Sequence, residues 1–165
     1  MIIVSDTTPL RYLIEIEQVH ILERLFGSVI IPEKVAEELQ RPKTPRKIKD
    51  WMLAPPSWLT IRKADLSAFT PQRKIDDGER EAFALAIELH AHAVLLDDRD
   101  AATEAERLNL NVIPTFTILE RASEQGLLDL PSSIEEMRKT SFRLPHEKYL
   151  EEALERDRKR KEERR

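Results

Sequence analysis

Short apolar runs alternate along the chain with longer segments of helical periodicity. The apolar runs, typical of buried strands, are residues 1–5, 28–31, 58–61, 93–96 and 111–114. Helices are predicted over residues 10–16, 19–26, 33–40, 48–53, 79–90, 101–108, 116–124 and 134–139. Strands that alternate with helices predict a three-layer α/β fold, in which helices flank a mostly parallel central sheet of four to five strands.

The last segment, residues 146–165, differs from the rest because almost all of its residues are charged. Such a segment is either a solvated helix or disordered. The predicted organisation is therefore one domain over residues 1–145, followed by a charged C-terminal tail.

Composition excludes several classes of protein. Hydrophobic residues make up 41% of the chain, enough for a packed core. No apolar run reaches the ~18 residues of a membrane span, and the N-terminus lacks the features of a secretory signal. Cysteine is absent, so neither a disulfide framework nor a thiolate metal site is expected. We expect a cytoplasmic protein that does not associate with membranes.

Carboxylates follow two of the predicted strands. Asp6 ends the first strand, and Asp97 and Asp98 end the strand at residues 93–96. Parallel strands end at a common edge of the sheet, where ligands bind in open α/β folds. The structural alternatives are a helix N-cap for Asp6 and a turn for Asp97 and Asp98.

Two further acids face the core side of their helices. Glu79 lies about 40° from Phe83, in the middle of the apolar face of its helix. Glu38 lies about 60° from Val35, at the border of the buried stripe of its helix. A favourable interaction with the helix dipole is the alternative for Glu79, and a boundary position is the alternative for Glu38.

Asp6, Glu38, Glu79 and Asp98 come from four separate segments that could converge at one sheet edge. Crowded carboxylates repel one another unless a cation neutralises them. A ligand set made only of oxygen suits Mg²⁺ or Mn²⁺. Because such ions promote the hydrolysis of phosphodiesters, the pattern indicates a nuclease.

The same residues resemble the motifs of PIN domains, the ribonuclease fold of VapC-type toxins. The matching segments, over about residues 1–140, are VSDTTPL (Asp6), IPEKVAEEL (Glu38), DDGEREAFALA (Glu79) and VLLDDRDA (Asp98, with Asp97 beside it). Most members have Asp where this chain has Glu79. The chain most resembles the branch of the family that has a GE-x-x-A helix and an LLDD strand end. The resemblance implies a PIN-like fold, a Mg²⁺ or Mn²⁺ cofactor, a homodimer and a small antitoxin partner.

Other residues are candidates for supporting roles. Thr8 could orient a water molecule at the metal, and Arg99 could contact phosphate; a helix cap and a surface ion pair are the alternatives. The segment 41–49 holds five cations and no acid. It could hold RNA near the metal or be a solvated loop. The candidate RNA-binding residues in it are Arg41, Lys43, Arg46 and Lys47.

The leading hypothesis is a metal-dependent endoribonuclease, the toxin of a toxin–antitoxin pair. The alternative is a PIN-like module that binds RNA or protein without catalysis, suggested by Glu79 and by the net charge of -4. A third possibility is an aspartyl-phosphate enzyme, suggested by Asp6 beside Thr7. It is the weakest, because Thr8 stands where such enzymes have a second Asp.

Overall fold

Five strands form one sheet in a computed structural model that describes residues 1–165. The strands are β1 Ile3–Ser5, β2 Val29–Pro32, β3 Leu59–Arg62, β4 Ala93–Leu95 and β5 Val112–Ile113. Their order is β3-β2-β1-β4-β5, and every neighbouring pair is parallel. Val4 in the central strand pairs with Ile30 on one side and Val94 on the other. The predicted α/β fold with a parallel sheet is therefore confirmed.

Helices connect these strands at nearly the predicted positions. They are α1 Thr7–Glu15, α2 Ile21–Phe26, α3 Glu33–Glu38, α4 Arg46–Leu53, α5 Asp77–Glu88 and α6 Arg99–Arg107. Gly27 follows α2 with a φ of 82°, a left-handed conformation that ends a helix readily at glycine. The segment between β3 and α5 holds only a short 3-10 helix, Leu66–Ala68.

Helix α5 is the most deeply buried connection. It packs on β1, β2 and β4, and its Ala82, Phe83, Leu85 and Ala86 are fully buried. The alanines allow close approach to the sheet, and Phe83 fills the core. Because a helix that joins parallel strands runs antiparallel to them, the first turn of α5 lies at the carboxyl edge of the sheet.

The chain divides into two compact units, Met1–Thr115 and Phe116–Arg165. The helices of the second part are α7 Thr115–Glu124, α8 Leu130–Arg138 and α9 Glu147–Glu163. Most of the charged segment 146–165 forms α9, which lies in the second unit, and the domain boundary predicted after residue 145 stays a prediction. Leu150, Ala153 and Asp157 are buried on one face of α9, because spacings of three and four residues align side chains along a helix.

None of the helices combines the length and the apolar character that crossing a lipid bilayer requires.

Candidate active site

The candidate site lies where the strand order reverses in the sheet. The chain leaves β1 towards β2 on one side, whereas β4 and β5 lie on the other. A crevice forms at such a switch point, beyond the carboxyl ends of the two diverging strands. The backbone N–H of Asp6 donates to the carbonyl oxygen of Leu95 at 3.0 Å, which places Asp6 beside the end of β4.

Asp6 is buried with an unsatisfied oxygen. It is 5% exposed, and its Oδ1 has no hydrogen-bond partner. Although Asp6 holds the N-cap position of α1, its side chain makes no capping hydrogen bond. Burial raises the pKa of Asp6 well above its ordinary value, and the neighbouring acids Asp76, Glu79 and Glu38 raise it further. The helix-cap alternative therefore does not account for this carboxylate.

Glu79 lies in the first turn of α5 and is 6% exposed. Its Oε1 accepts a hydrogen bond from the backbone N–H of Asp76 at 2.8 Å, and Asp76 Oδ1 accepts one from the N–H of Glu79 at 2.7 Å. This reciprocal pair is a capping box. Burial raises the pKa of Glu79 to about 7, and the negative charges of Asp76, Asp98 and Glu38 contribute. Glu79 thus caps its helix and also faces three other acids.

Glu38 ends α3 with its side chain largely covered. The Thr7 hydroxyl donates to Glu38 Oε2, and Arg41 Nη2 lies 3.7 Å from Glu38 Oε1. Residue 78 must be glycine for this placement, because a Cβ there would lie 2.9 Å from both carboxylate oxygens of Glu38. The first turn of α5 therefore leaves room for the Glu38 carboxylate.

The two adjacent acids after β4 have different surroundings. Both oxygens of Asp97 are occupied by Thr115, which donates from its N–H at 2.8 Å and from its hydroxyl at 2.6 Å. Asp98 is exposed, accepts from the N–H of Ala101 at 2.9 Å and raises the pKa of Glu79. Asp98, rather than Asp97, thus faces the other acids, and Asp97 fixes the start of α7.

We call the five acids that interact here the acidic cluster: Asp6, Glu38, Asp76, Glu79 and Asp98. Sequence reasoning missed Asp76, although an Asp three residues before Glu79 at a helix start is the signal of a capping box. It also did not select Thr7, whose hydroxyl donates to a cluster carboxylate, and the role predicted for Thr8 at the metal stays a prediction. Arg99 is exposed at the start of α6.

Three of the five cations in the basic segment 41–49 lie near acids. Besides the contact of Arg41 with the cluster, Arg46 lies 3.7 Å from Asp50 and Lys47 lies 3.5 Å from Glu17. Lys43 is exposed. Residues 46–49 belong to α4 rather than to a loop, and contact of the segment with RNA remains a prediction.

The cluster has the chemistry of a divalent-cation site, but its ligands are not arranged around one point. No group of three or more His, Cys, Asp or Glu side chains is positioned to hold a metal ion. Glu38, Glu79 and Asp98 are each directed by a hydrogen bond from the protein. The buried, unpartnered Oδ1 of Asp6 nevertheless needs a cation or a donor, and oxygen ligands of this kind fit Mg²⁺ or Mn²⁺.

Comparison with known proteins gives one family. The family model described as DUF3368, PIN domain, matches residues 2–158. A solved structure, the PilT N-terminus domain protein SSO1118 from the archaeon Sulfolobus solfataricus P2, is 19% identical with a TM-score of 0.48; the similarity covers 88% of this chain and 99% of that chain. No protein of curated function matches the sequence.

Proposed function

This chain belongs to the PIN-domain family, and on that premise we propose that it is a Mg²⁺- or Mn²⁺-dependent endoribonuclease. The observation that carries the proposal is the buried Asp6 carboxylate, which has one unpartnered oxygen and lies near three other acids, Asp76, Glu79 and Glu38. A carboxylate in such surroundings is costly unless a cation neutralises the group. The family supplies the nuclease reaction, and the acidic cluster supplies the ligands.

Asp6, Glu38, Glu79 and Asp98 are the residues that would hold the cation. A divalent cation at this position supplies Lewis-acid stabilisation of phosphate oxygens. Thr7 and Gly78 determine the position of Glu38, and Asp76 determines that of Glu79. Without a cation the pKa of Glu79 is raised to about 7, so near neutral pH its carboxyl group would have to release a proton before it could hold the cation.

The proposal extends to the biological setting implied by the resemblance to VapC-type toxins. In this setting the protein is a cytoplasmic homodimer, bound and inhibited by a small antitoxin protein. Co-expression with the product of a neighbouring short reading frame should suppress its toxicity. Growth arrest that no neighbouring product relieves would contradict the antitoxin assignment and leave the nuclease assignment intact.

The direct test is RNA cleavage by the purified protein with Mn²⁺. Wild type should cleave RNA, and Asp6→Asn and Glu79→Gln should each lower the rate by about 100-fold or more, since even residues that only support metal ligands contribute 10- to 100-fold. Glu88→Gln is the matched control for Glu79→Gln, because Glu88 is exposed on the same helix. Equal activity of wild type and Asp6→Asn, purified identically, or activity that EDTA does not change, would refute the proposal.

A second candidate function is a PIN-domain module that binds RNA or protein without catalysis. The arrangement of the carboxylates favours it, because no three of them are positioned around a common metal position. Calorimetric titration with Mn²⁺ separates the two functions. Binding that is lost in Asp6→Asn supports the enzyme, and its absence in wild type supports the module.

A further inference from the structure

A second cleft, distinct from the acidic cluster, lies between α6 and the loop that precedes α5. Its volume is about 460 Å³, within the range of small-ligand sites. Its five lining residues all have polar side chains: Gln72, Arg73, Thr103, Glu104 and Arg107. We call it the α6 cleft.

Glu104 is a buried carboxylate with one oxygen left free. It has no exposed surface, and its Oε1 accepts hydrogen bonds from the N–H of Gln72 at 3.0 Å and from Arg107 Nε at 3.1 Å. Its Oε2 is buried and has no partner. Buried polar atoms nearly always have a hydrogen-bond partner, so this oxygen is free to accept from a ligand that displaces the side chains covering it.

The α6 cleft also presents cations that the chain does not fully neutralise. Arg107 donates to Glu104 and to the carbonyl oxygen of Thr70, and its Nη1 makes no hydrogen bond. Arg73 is exposed, forms no salt bridge and lies close enough to Glu104 to lower the pKa of that carboxyl. Two guanidinium groups against one carboxylate leave a net positive charge, which favours an anionic ligand such as phosphate.

Two chain segments connect the α6 cleft directly to the acidic cluster. Glu104 lies six residues after Asp98 on α6, a rise of about 9 Å. Arg73 lies three residues before Asp76, and three extended residues span at most ~10 Å. A nucleic-acid strand that crosses the acidic cluster would therefore reach the α6 cleft after a short run of nucleotides.

We propose that the α6 cleft binds one nucleotide of single-stranded RNA beside the acidic cluster. Arg73 and Arg107 hold its phosphate, and Glu104 Oε2 accepts a hydrogen bond from an O–H or N–H of the same nucleotide. The identity of the ligand as RNA rests on the proposed nuclease function, whereas the phosphate and donor chemistry rests on the residues of the cleft. The α6 cleft is thereby a second candidate RNA contact beside the segment 41–49, in which three of the five cations lie near acids.

The test is the affinity for a short, fluorescently labelled single-stranded RNA, measured by anisotropy in EDTA so that no cleavage occurs. Arg73→Glu should weaken binding about 10-fold. Arg73→Ala should make the slope of log affinity against log salt concentration shallower, by about the amount that one phosphate contact contributes. Arg24→Glu is the matched control, because Arg24 is an exposed arginine on α2 and does not line the α6 cleft. Unchanged affinity in both Arg73 variants, or an equal loss in Arg24→Glu, would overturn the proposal.

The donor to Glu104 is examined with modified strands. An abasic deoxyribose phosphate strand lacks both the 2′-hydroxyl and the base N–H groups, and we expect it to bind at least about 10-fold more weakly than RNA. DNA of the same sequence distinguishes the two donors, because only the 2′-hydroxyl is missing from it. Abasic binding as tight as RNA binding would contradict the role of Glu104.

These results separate the cleft from the nuclease assignment. Wild type that cleaves RNA, while the Arg73 variants bind RNA normally, would refute the cleft alone. Weakened binding in the Arg73 variants, together with no cleavage by wild type, would support the cleft and refute the nuclease.

Discussion

At the scale of single residues, the geometry of the acidic cluster depends on which groups lie next to each carboxylate. Glu38 lies against residue 78, where the absence of a side chain leaves room for both of its carboxylate oxygens. Thr7 directs the same group through its hydroxyl. Gly78 therefore makes room for Glu38, which lies forty positions before it in the sequence.

Gly78→Ala should weaken Mn²⁺ binding and RNA cleavage about 10- to 100-fold, because the new Cβ would displace the Glu38 carboxylate. Stability should change little, since alanine favours a helix over glycine by about 1 kcal/mol and offsets part of the crowding. Titration calorimetry measures the Mn²⁺ affinity, cleavage assays measure the rate of RNA cleavage, and thermal melts measure stability. Glu88→Ala on the exposed face of α5 is the control, and normal Mn²⁺ affinity in Gly78→Ala would show that Glu38 is not a ligand.

At the scale of elements, α9 shows how a helix of mostly charged residues is held in place. Asp157 is 2% exposed and accepts a hydrogen bond from Ser123 on α7 at 2.5 Å. Lys161 Nζ lies 2.9 Å from Asp157 and Arg160 Nη1 lies 3.4 Å from it. The buried carboxylate therefore joins α9 to α7 and is neutralised from its own helix.

Asp157→Ala should lower the free energy of unfolding by about 1–3 kcal/mol, because the buried Ser123 hydroxyl loses its hydrogen-bond partner, whereas Arg160 and Lys161 are partly exposed to water. Glu155→Ala is the control; Glu155 is exposed, and its ion pairs with Arg158 and Lys159 should contribute less than about 1 kcal/mol. Denaturant titration of both variants measures the difference. Equal destabilisation by the two substitutions would mean that Asp157 does not anchor α9.

At the scale of the whole molecule, the acidic cluster makes stability depend on pH and on cations. Burial raises the pKa of Glu79 from its ordinary 4.5 to about 7, and the pKa of Asp6 is raised as well. Between pH 4.5 and about 7, Glu79 retains a proton in the folded protein that it has released in the unfolded chain. Stability is therefore full below the ordinary pKa and is lost as the pH rises through about 7.

In the absence of cations, the free energy of unfolding should fall by about 1–3 kcal/mol between about pH 5 and pH 8, since one pKa unit corresponds to about 1.4 kcal/mol. The fall should be smaller in Glu79→Gln, which cannot titrate. Mn²⁺ at about 100 times its dissociation constant should restore about 2.7 kcal/mol at the higher pH in wild type and nothing in Asp6→Asn. A protein equally stable at both pH values, with the same pH profile in Glu79→Gln, would contradict the raised pKa.

The sequence by itself determined the strands, the helices and the core-facing position of Glu79. These features are encoded locally, because the periods of the strand and the helix are fixed by backbone geometry. The order of the motifs also led to the PIN family, which the family model confirms.

Only the tertiary structure decided which neighbouring side chains meet. It separated Asp98 from Asp97, which is bound to Thr115, and it showed that the Thr7 hydroxyl donates to Glu38. It also brought three of the five cations of the segment 41–49 near acids and formed the α6 cleft from a loop and a helix. The physical reason is that hydrogen bonds and ion pairs depend on distances of a few ångströms between residues far apart in the chain, which no local pattern of apolar and polar positions specifies.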